Sequence, residues 1–402
     1  MSAPQAYIVL GLGYGDEGKG LATDWLCRRL RPGLVVRFNG GAQAGHTVVT
    51  AEGKHHVFSS FGAGTLAGVP TLWSAHCPFA PGPALAELAA LQQLGVAPQL
   101  LVDAACPVTT HYDVLYNRVL ESRRGAGRHG SVGVGFGATL ARHEAGPAAR
   151  LTAGQLLKPG ALPAALARIR AYYRARLATE APEFAFDSVA HDTGDDRLLA
   201  AADTLAGQHR AGGPVRFGAG AAALATVAAR GQAVVFEGAQ GILLDMDAGE
   251  FPHVTRSHTT SRNALALVRA HLPGYTARIQ YVTRAYHTRH GAGPLPGEAP
   301  LALRHYEHET NRPHPYQGCF RLAPLYLPSV RHALAADAPH AAGHARHLLI
   351  TCLDQTPDQH VLCSENEVPG SAAPGQLPAL LGVAFDSLQL AYGPTAATVR
   401  LG

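Results

Sequence analysis

The chain has 402 residues, of which 47% are hydrophobic and 15% charged, and its formal net charge is +4. Its length can bury a sizeable core, and the mild basicity suits small anionic ligands rather than nucleic acid, which needs a concentrated basic patch. Six scattered cysteines, with no CxxC pair, indicate reduced thiols in a cytoplasmic protein. We expect no export signal, and the Ala-rich run 218–229 is too short for a membrane span.

The first distinctive stretch is IVLGLGYGDEGKG, from Ile8 to Gly20. Its apolar start predicts a buried strand, and the glycine-dense remainder predicts a loop that opens a helix. The segment Gly13–Lys19 has the spacing of a phosphate-binding loop. The hydroxyl residue that usually follows the lysine and binds magnesium is replaced by Gly20. Asp16 and Glu17 lie inside the loop, where phosphates repel carboxylates unless a metal intervenes or the carboxylate takes part in the chemistry.

Strand-like and helix-like segments alternate along the rest of the chain. We predict strands at Leu34–Phe38, Leu100–Pro107, Gly231–Gly241, Arg278–Tyr286 and Leu348–Asp354, and helices at Pro81–Gly95 and Arg262–His271. This alternation favours an α/β fold whose site lies at the carboxyl ends of the strands. Helical periodicity in an Ala-, Leu- and Arg-rich region predicts a helical subdomain at about 150–230, within a single domain that spans 1–402.

Four segments resemble the adenylosuccinate synthetase family, in the same order along the chain. They are the GDEGKG loop, NGGAQAGHT (Asn39–Thr47), FEGAQGILLDMDAGEFPHVTRSHTT (Phe236–Thr260) and TRAYHTRHGAGPLPGE (Thr283–Glu298). The resemblance implies a cytoplasmic, homodimeric α/β ligase with a large, mainly parallel central sheet flanked by helices and a P-loop-like nucleotide cradle. The implied reaction joins L-aspartate to the 6-oxo position of IMP, a purine nucleoside monophosphate, with GTP hydrolysis, Mg²⁺ as cofactor and a 6-phosphoryl intermediate.

The resemblance assigns the chemistry to three residues. Asp16 would remove the N1 proton of the purine and bind Mg²⁺, with the carbonyl of Gly45 as a second metal ligand. Lys19 would contact the nucleotide phosphates, and His46 would donate a proton to the bridging phosphate oxygen. The alternatives are a helix-capping role for Asp16, a solvated Lys19 and a structural His46. The four matching segments favour the catalytic roles.

The same resemblance assigns further residues to nucleotide binding. Gln240 would orient the purine 6-position, and Thr255 would bind the 5′-phosphate. Gln43 stands where the family usually has an asparagine near that phosphate, and its longer amide would preserve the contact or shift it. Arg142 lies nearest to an arginine that the neighbouring subunit contributes in the family; a surface arginine is an equal alternative. The loop residues predicted to contact nucleotide are Gly15, Glu17, Gly18 and Gly20.

Two loops depart from the family pattern. The segment Arg123–Gly137 predicts a loop that closes over an anion, although a flexible linker would have the same composition. Its family counterpart carries Thr-Gly-Arg, whereas Val132 and Val134 stand here. The amino-donor loop of the family is a run of arginines, because two carboxylates need paired donors. Here it reads TNRPHPYQGCFR, in which Thr310 and Arg312 are the predicted donor-binding residues.

The segments predicted to read the base of the triphosphate also differ in part. In LLITCLDQ, Asp354 is retained to accept hydrogen bonds from guanine, but Cys352 replaces the lysine of the family. Gly393 and Pro394 match the C-terminal turn that contacts the base. The change at Cys352 makes ATP, or a relaxed choice of triphosphate, an alternative to GTP.

These departures leave three functions open. The first is the ligation of aspartate to IMP. The second is a paralogue that ligates aspartate to dGMP or GMP with ATP, as phage-type homologues do. The third is a non-catalytic nucleotide-binding regulator. The retained Asp16, Lys19 and His46 argue against the regulator, because binding alone needs no acid and base pair.

Overall fold

The computed structural model describes residues 3–305, 309, 311, 316–366 and 368–402. Its strands are β1 Gln5–Gly11, β2 Leu34–Arg37, β3 His46–Val49, β4 His55–Phe58, β5 Thr71–Trp73, β6 Leu100–Asp103, β7 Val215–Gly218, β8 Val234–Gly241, β9 Thr276–Arg284, β10 His287–His290, β11 Phe320–Ala323, β12 Leu325–Tyr326, β13 Ala345–Thr351, β14 Val361–Glu365, β15 Val368–Ala372, β16 Ser387–Ala391 and β17 Val399–Leu401. Its α-helices are α1 Lys19–Leu30, α2 Pro81–Gln93, α3 His111–Arg124, α4 Phe136–Glu144, α5 Leu162–Glu180, α6 Asp192–Arg210, α7 Gly220–Ala229, α8 Arg262–His271, α9 Leu327–Ala341 and α10 Leu377–Leu381.

A ten-stranded sheet runs through the described part of the chain, in the order β17-β16-β13-β9-β1-β8-β2-β5-β6-β7. Neighbouring strands are parallel except β16 and β17, which are antiparallel. The predicted α/β fold with a mainly parallel central sheet is therefore confirmed. Because the parallel strands share one direction, the loops that follow β1, β2, β8, β9 and β13 meet at the same edge.

The central strand β1 is buried on both faces. Ile8 and Leu10 belong to one hydrophobic core, with Phe236 from β8. Val9 faces the opposite core, with Leu21 from α1. Helices cover both faces of the sheet here. The sequence of β1 is therefore a continuous apolar run and does not alternate between apolar and polar residues. This run is what made β1 recognisable in the sequence.

The start of α1 explains the glycines at the end of the phosphate-binding loop. Gly18 caps the helix with a left-handed backbone, at φ 96°, which a residue without Cβ adopts at low cost. A Cβ added to Gly20 would lie 2.8 Å from the carbonyl oxygen of Thr47 in β3. The helix therefore packs too closely on β3 to accept the serine or threonine that usually follows the lysine.

The region at about 150–230 is only partly helical. Helices α5 and α6 pack over a second core, which contains Tyr112, Ile169 and Leu205. After α6 ends at Arg210, strand β7 joins the edge of the main sheet beside β6. Strand β7 thus interrupts the region predicted to be helical; it has four residues, too few to show in a sequence rich in alanine and glycine. Among the described residues, no helix combines the length and the apolar character that crossing a bilayer requires.

Candidate active site

A cavity of about 780 Å³ opens at the carboxyl edge of the sheet, where the loops after β1, β2, β8 and β9 meet. It brings together residues from sequence positions more than 200 apart, as the fold class requires. The predicted site residues that line it are Gly15, Asp16, Gly18, Lys19, Gly20, Gln43, Gly45, His46, Gln240 and Thr255. The phosphate-binding loop contributes five of these residues.

Glu17 organises this loop from inside. Its side chain is buried, and Oε1 accepts hydrogen bonds from the backbone N–H of Gly13 at 2.9 Å and of Gly15 at 2.8 Å. Its Oε2 lies 2.5 Å from Nζ of Lys19. Glu17 is not among the residues that line the cavity, which differs from the predicted nucleotide contact. The carboxylate instead fixes the backbone of the loop and the position of the lysine.

Asp16 lies on the cavity side of the same loop. Its backbone is left-handed, at φ 62°, a conformation that is uncommon outside glycine and is often found at functional sites. Burial raises the pKa of Asp16, and the charges of Arg284 and Lys19 partly oppose that rise. Nε of Arg284 donates to the backbone carbonyl of Asp16 at 2.5 Å. Arg284 therefore holds the loop through its backbone.

His46, at the start of β3, contacts a carboxylate from strand β8. Its Nδ1 lies 2.7 Å from Oε1 of Glu237, and both side chains are buried. Burial lowers the pKa of His46, and the charge of Glu237 opposes this. Burial raises the pKa of Glu237, but His46, Arg37 and the backbone N–H of Ala63 lower it overall. Glu237 is thus held as a carboxylate that favours a proton on Nδ1 of His46.

Sequence analysis missed Glu237 as a functional residue. The available signal was an acidic residue inside the apolar segment VVFEG, because a buried carboxylate requires a partner. Its neighbour in the register between β2 and β8 is Arg37, which is fully buried with its guanidinium 5.2 Å from the ring centroid of Trp73. These contacts join residues from distant parts of the chain, so no local pattern could have paired them.

Two amide side chains of the cavity have buried polar atoms without a hydrogen-bond partner among the described residues. Oε1 of Gln240, and both Oε1 and Nε2 of Gln43, are buried without a hydrogen-bond partner among the described residues. A buried polar group left unpaired costs about 1–3 kcal/mol. A bound molecule that offers both donors and acceptors would remove this cost, which fits a purine nucleotide.

Oxygen ligands for a magnesium ion lie on two loops of the cavity. Asp16 offers a carboxylate and Gly45 a backbone carbonyl, and both residues line the cavity. Mg²⁺ binds oxygen ligands, usually one or two from the protein together with substrate phosphates and water. The residues present therefore fit Mg²⁺.

Asp245, Asp247 and His258 form another group of metal-ligand side chains, with ligand atoms within 4.8 Å of one another. Asp245 already accepts hydrogen bonds from the backbone N–H groups of Asp247 and Thr259. Asp247 lies 3.4 Å from His258 and 3.5 Å from Arg262. These contacts stabilise the loop after β8, and we assign no metal to the group.

Arg142 lies in the protein interior and not at the cavity. Its side chain is fully buried, and Nε lies 2.8 Å from Oδ1 of Asp113. The remaining nitrogens donate to the carbonyls of Ala149 and Val108, and Tyr173 completes the network through Asp113. The predicted contact between Arg142 and a nucleotide phosphate is therefore wrong, because every nitrogen of its guanidinium already has an acceptor in the core.

The predicted base-reading residues lie at the same sheet edge but outside the cavity lining. Asp354 follows β13, and Gly393 and Pro394 follow the adjacent strand β16. Burial raises the pKa of Asp354. The end of β13 is joined to the phosphate-binding loop, since Oγ1 of Thr351 donates to the carbonyl of Glu17 at 2.8 Å. The strand that precedes Asp354 is thus in direct contact with the phosphate-binding loop.

The predicted amino-donor residues Thr310 and Arg312 lie outside the described residues. Their neighbours Glu309 and Asn311 line the cavity. Oε2 of Glu309 lies 2.9 Å from Arg284, and its Oε1 accepts from the side chain of Asn311 at 2.9 Å. Sequence analysis missed Arg284 and Glu309. The signal for Arg284 was a basic residue at the end of a buried strand.

Comparison with known sequences agrees with the four-segment resemblance. The model of the family described as adenylosuccinate synthetase matches residues 8–313. The adenylosuccinate synthetase of Proteus mirabilis is 32% identical over 294 residues, and that of Edwardsiella ictaluri is 34% identical over 295 residues. Each alignment covers 72% of this chain and 64% of the relative. The chain thus matches a little less than two thirds of the length of these relatives.

Solved structures show the same fold. The fully ligated adenylosuccinate synthetase of Plasmodium falciparum superimposes with a TM-score of 0.75 at 17% identity, covering 98% of this chain and 99% of that one. The succinoaminodeoxyadenylate synthetase of cyanophage S-2L gives 0.63 at 14% identity, with 99% and 95% covered. At these sequence identities the solved structures support the fold alone. The family match and the bacterial relatives identify the protein family. The chain belongs to the adenylosuccinate synthetase family.

Proposed function

We propose that the protein is a ligase that joins L-aspartate to the 6-oxo position of a purine nucleoside monophosphate, with hydrolysis of GTP or ATP. IMP is the first candidate for the monophosphate. The proposal is supported by the family match over residues 8–313. It is carried by one observation: Asp16, Lys19, His46 and Gln240, whose amide oxygen has no hydrogen-bond partner among the described residues, line the same cavity.

In this mechanism Asp16 is the base of the first step. Its carboxylate takes the proton from N1 of the purine, and the electron pair moves onto the 6-oxygen, which attacks the γ-phosphorus as the bond to the β-phosphate oxygen breaks. Because burial raises the pKa of Asp16, its carboxylate is a stronger base than an exposed aspartate. Gln240 lines the cavity with an amide suited to hold the 6-position.

His46 and Lys19 act on the phosphates. Glu237 stabilises the doubly protonated form of His46, so Nε2 can donate to the bridging oxygen as negative charge develops there. Lys19 supplies a positive charge that Glu17 positions. When bound, Mg²⁺ would neutralise charge on the transferring phosphoryl group. In the second step the amine of aspartate attacks C6, and inorganic phosphate leaves with the former 6-oxygen.

A second candidate is the ligation of aspartate to dGMP or GMP with ATP. Two features favour it. Val132 and Val134 line the cavity where the family resemblance places a hydroxyl and a cation, and Cys352 replaces the expected lysine two residues before Asp354. The related cyanophage structure contains dGMP, with dATP as energy donor. The altered residues all belong to the loops expected to recognise the nucleotides, and none is a reacting group. The second candidate therefore uses the same two reaction steps.

The choice between the candidates can be tested by turnover. We would incubate the protein with Mg²⁺, aspartate and each pairing of IMP, GMP or dGMP with GTP or ATP, and measure phosphate release together with the succinylated nucleotide. Highest kcat/KM with IMP supports the first candidate, and highest kcat/KM with dGMP or GMP supports the second. Nucleotide binding without turnover in any pairing would refute the ligase and favour a regulator. By the same family resemblance we expect a homodimer, which sedimentation analysis would test.

A further inference from the structure

Arg256 lies beside the residue proposed to bind the 5′-phosphate. It directly follows Thr255, and both residues line the cavity. Its guanidinium lies 2.5 Å from Oε2 of Glu144, and the side chains are 45% and 58% exposed. Exposed ion pairs of this kind contribute little to stability, so the contact can be exchanged for another anion.

The backbone of Arg256 lies near the opposite end of α4 from Glu144. A Cβ added to Gly137, in the first turn of α4, would be 3.9 Å from Cβ of Arg256. Glu144 is the last residue of this helix, about 10 Å along the axis at 1.5 Å per residue. The arginine therefore extends along α4 toward Glu144, which is not among the residues that line the cavity. Rotation about its side-chain bonds would return the guanidinium to the first turn, where Phe136, Gly137 and Ala138 line the cavity.

Other cations of the cavity are held more firmly. Arg124 pairs with Glu121, which is 1% exposed, so its release would leave a buried carboxylate unpaired. Arg289 donates to three backbone carbonyls, and Lys19 contacts the buried Glu17. Within the described ranges, Glu144 is the one acceptor that contacts the Arg256 guanidinium. Arg256 can therefore move to a ligand at a lower cost than Arg124, Arg289 or Lys19.

We infer that Arg256 binds the 5′-phosphate of the purine monophosphate within its own chain, and that Glu144 holds the arginine away from the cavity until the phosphate replaces it. The inference rests on the proposed function, since it assumes a monophosphate substrate. A phosphate dianion is the stronger acceptor, because it carries about twice the negative charge of the Glu144 carboxylate and offers three acceptor oxygens. The first turn of α4 contains no acidic residue that would compete with it.

Binding of nucleotides and their nucleosides tests the contact directly. Isothermal titration calorimetry would compare IMP with inosine and dGMP with deoxyguanosine, for the wild type and for Arg256→Gln, Glu144→Gln and Arg262→Gln. Arg262 is a matched control, because it is 52% exposed, pairs with Asp247 and is not among the cavity-lining residues. Arg256→Gln should raise the Kd of the monophosphates about 10- to 100-fold and leave the nucleosides unchanged. Glu144→Gln should lower it, and Arg262→Gln should not change it.

An unchanged Kd for both monophosphates in Arg256→Gln, or an equal loss for the nucleosides, would overturn the inference. A complementation assay tests whether the arginine acts within its own chain. Mixing Arg256→Gln with Asp16→Asn protein should leave activity at the sum of the two variants, whereas recovery of activity would place Arg256 in the site of a partner.

The two proposals fail in different ways. If the monophosphates bind, Arg256→Gln weakens them and no pairing turns over, the arginine assignment stands and the ligase is refuted. If the wild type turns over substrate but Arg256→Gln changes neither KM nor Kd, the ligase stands and the arginine assignment is refuted. If the wild type binds neither monophosphate, both are refuted.

Discussion

Nδ1 of His46 lies 2.7 Å from Oε1 of Glu237, and the two side chains are 6% and 0% exposed. Glu237 also accepts from the backbone N–H of Ala63 at 3.1 Å, so its carboxylate has a fixed position in the core. The imidazole is thereby oriented before any ligand arrives. In the proposed mechanism, this orientation presents Nε2 to the phosphate that is transferred.

We predict that Glu237→Gln lowers kcat about 10- to 100-fold with a smaller change in KM, because the neutral amide no longer stabilises protonated His46. The amide oxygen can still accept from Ala63, which preserves the local fold. Steady-state kinetics of Glu237→Gln, His46→Ala and the double variant would check this. If Glu237 acts through His46, the double variant should be no slower than His46→Ala; additive losses would contradict the pairing.

Asp16→Asn should reduce turnover at least about 100-fold, because asparagine cannot accept the N1 proton. Arg284 contacts the backbone carbonyl of Asp16, so the substitution leaves this contact intact and the Kd for nucleotides should change little. Single-turnover kinetics and calorimetric binding would measure the two effects separately. Asp203→Asn, at an exposed position on α6, serves as the matched control and should behave as the wild type. Normal turnover in Asp16→Asn would exclude this residue as the base.

Because Arg142 is buried, we expect its substitution to lower the stability of the fold. Arg142→Met would leave Asp113 buried without its cationic partner, and we expect a loss of about 3–5 kcal/mol in the free energy of unfolding. Tyr173→Phe removes one hydrogen bond to Asp113 and should cost only about 1 kcal/mol. Urea denaturation would measure both. A stable Arg142→Met protein with a raised KM for the monophosphate would restore the phosphate-binding role.

Glu87 makes the stability of the loop after β4 sensitive to pH. Its carboxylate accepts from the backbone N–H of Ser60 at 2.5 Å and from the hydroxyl of Ser59 at 2.8 Å. Burial raises the pKa of Glu87, but hydrogen bonds from His56, Ser60 and Ser59 lower it overall. A carboxyl group whose pKa is lower in the folded state stabilises the fold above its unfolded pKa of about 4.3. That contribution is lost as the pH falls through the folded pKa.

We therefore predict that Glu87→Gln lowers the free energy of unfolding by about 1–3 kcal/mol at pH 7. The difference from the wild type should shrink at pH values below about 4. Urea denaturation at pH 7, 5 and 3.5 would measure it. Glu183→Gln, at a side chain that is 60% exposed, is the control and should stay within about 0.5 kcal/mol. A constant difference at all three pH values would show that the charge of Glu87 is not responsible.

Local patterns predicted the elements that a few adjacent residues determine. The apolar run of β1 and the helix Arg262–His271, whose observed bounds match the prediction, are two examples. The phosphate-binding loop was recognisable because glycine spacing is itself local. Strand β7 was missed, since four residues at a sheet edge carry too little pattern to stand out.

The missed features of the site depend on partners far apart in sequence. Glu237 is separated from His46 by 191 residues, and Arg142 is buried because Asp113 and two carbonyls surround it. An arginine is usually exposed, so its sequence gave no indication of this network. The family resemblance supplied residue roles, but the role assigned to Arg142 does not fit a side chain that is fully buried with an acceptor for every guanidinium nitrogen.

The hydrogen bond from Thr351 to the carbonyl of Glu17 has a consequence for redesigning this protein. Cys352, which replaces the lysine of the family, follows Thr351 directly in the chain, and Asp354, the residue expected to contact the triphosphate base, lies two residues further on. Either can be exchanged alone without disturbing the hydroxyl that supports the phosphate-binding loop. Replacing the whole end of β13 with the segment of another enzyme would replace Thr351 as well. If the new segment lacked this hydroxyl, the substitution would change both the preference for the triphosphate base and the position of the phosphate-binding loop.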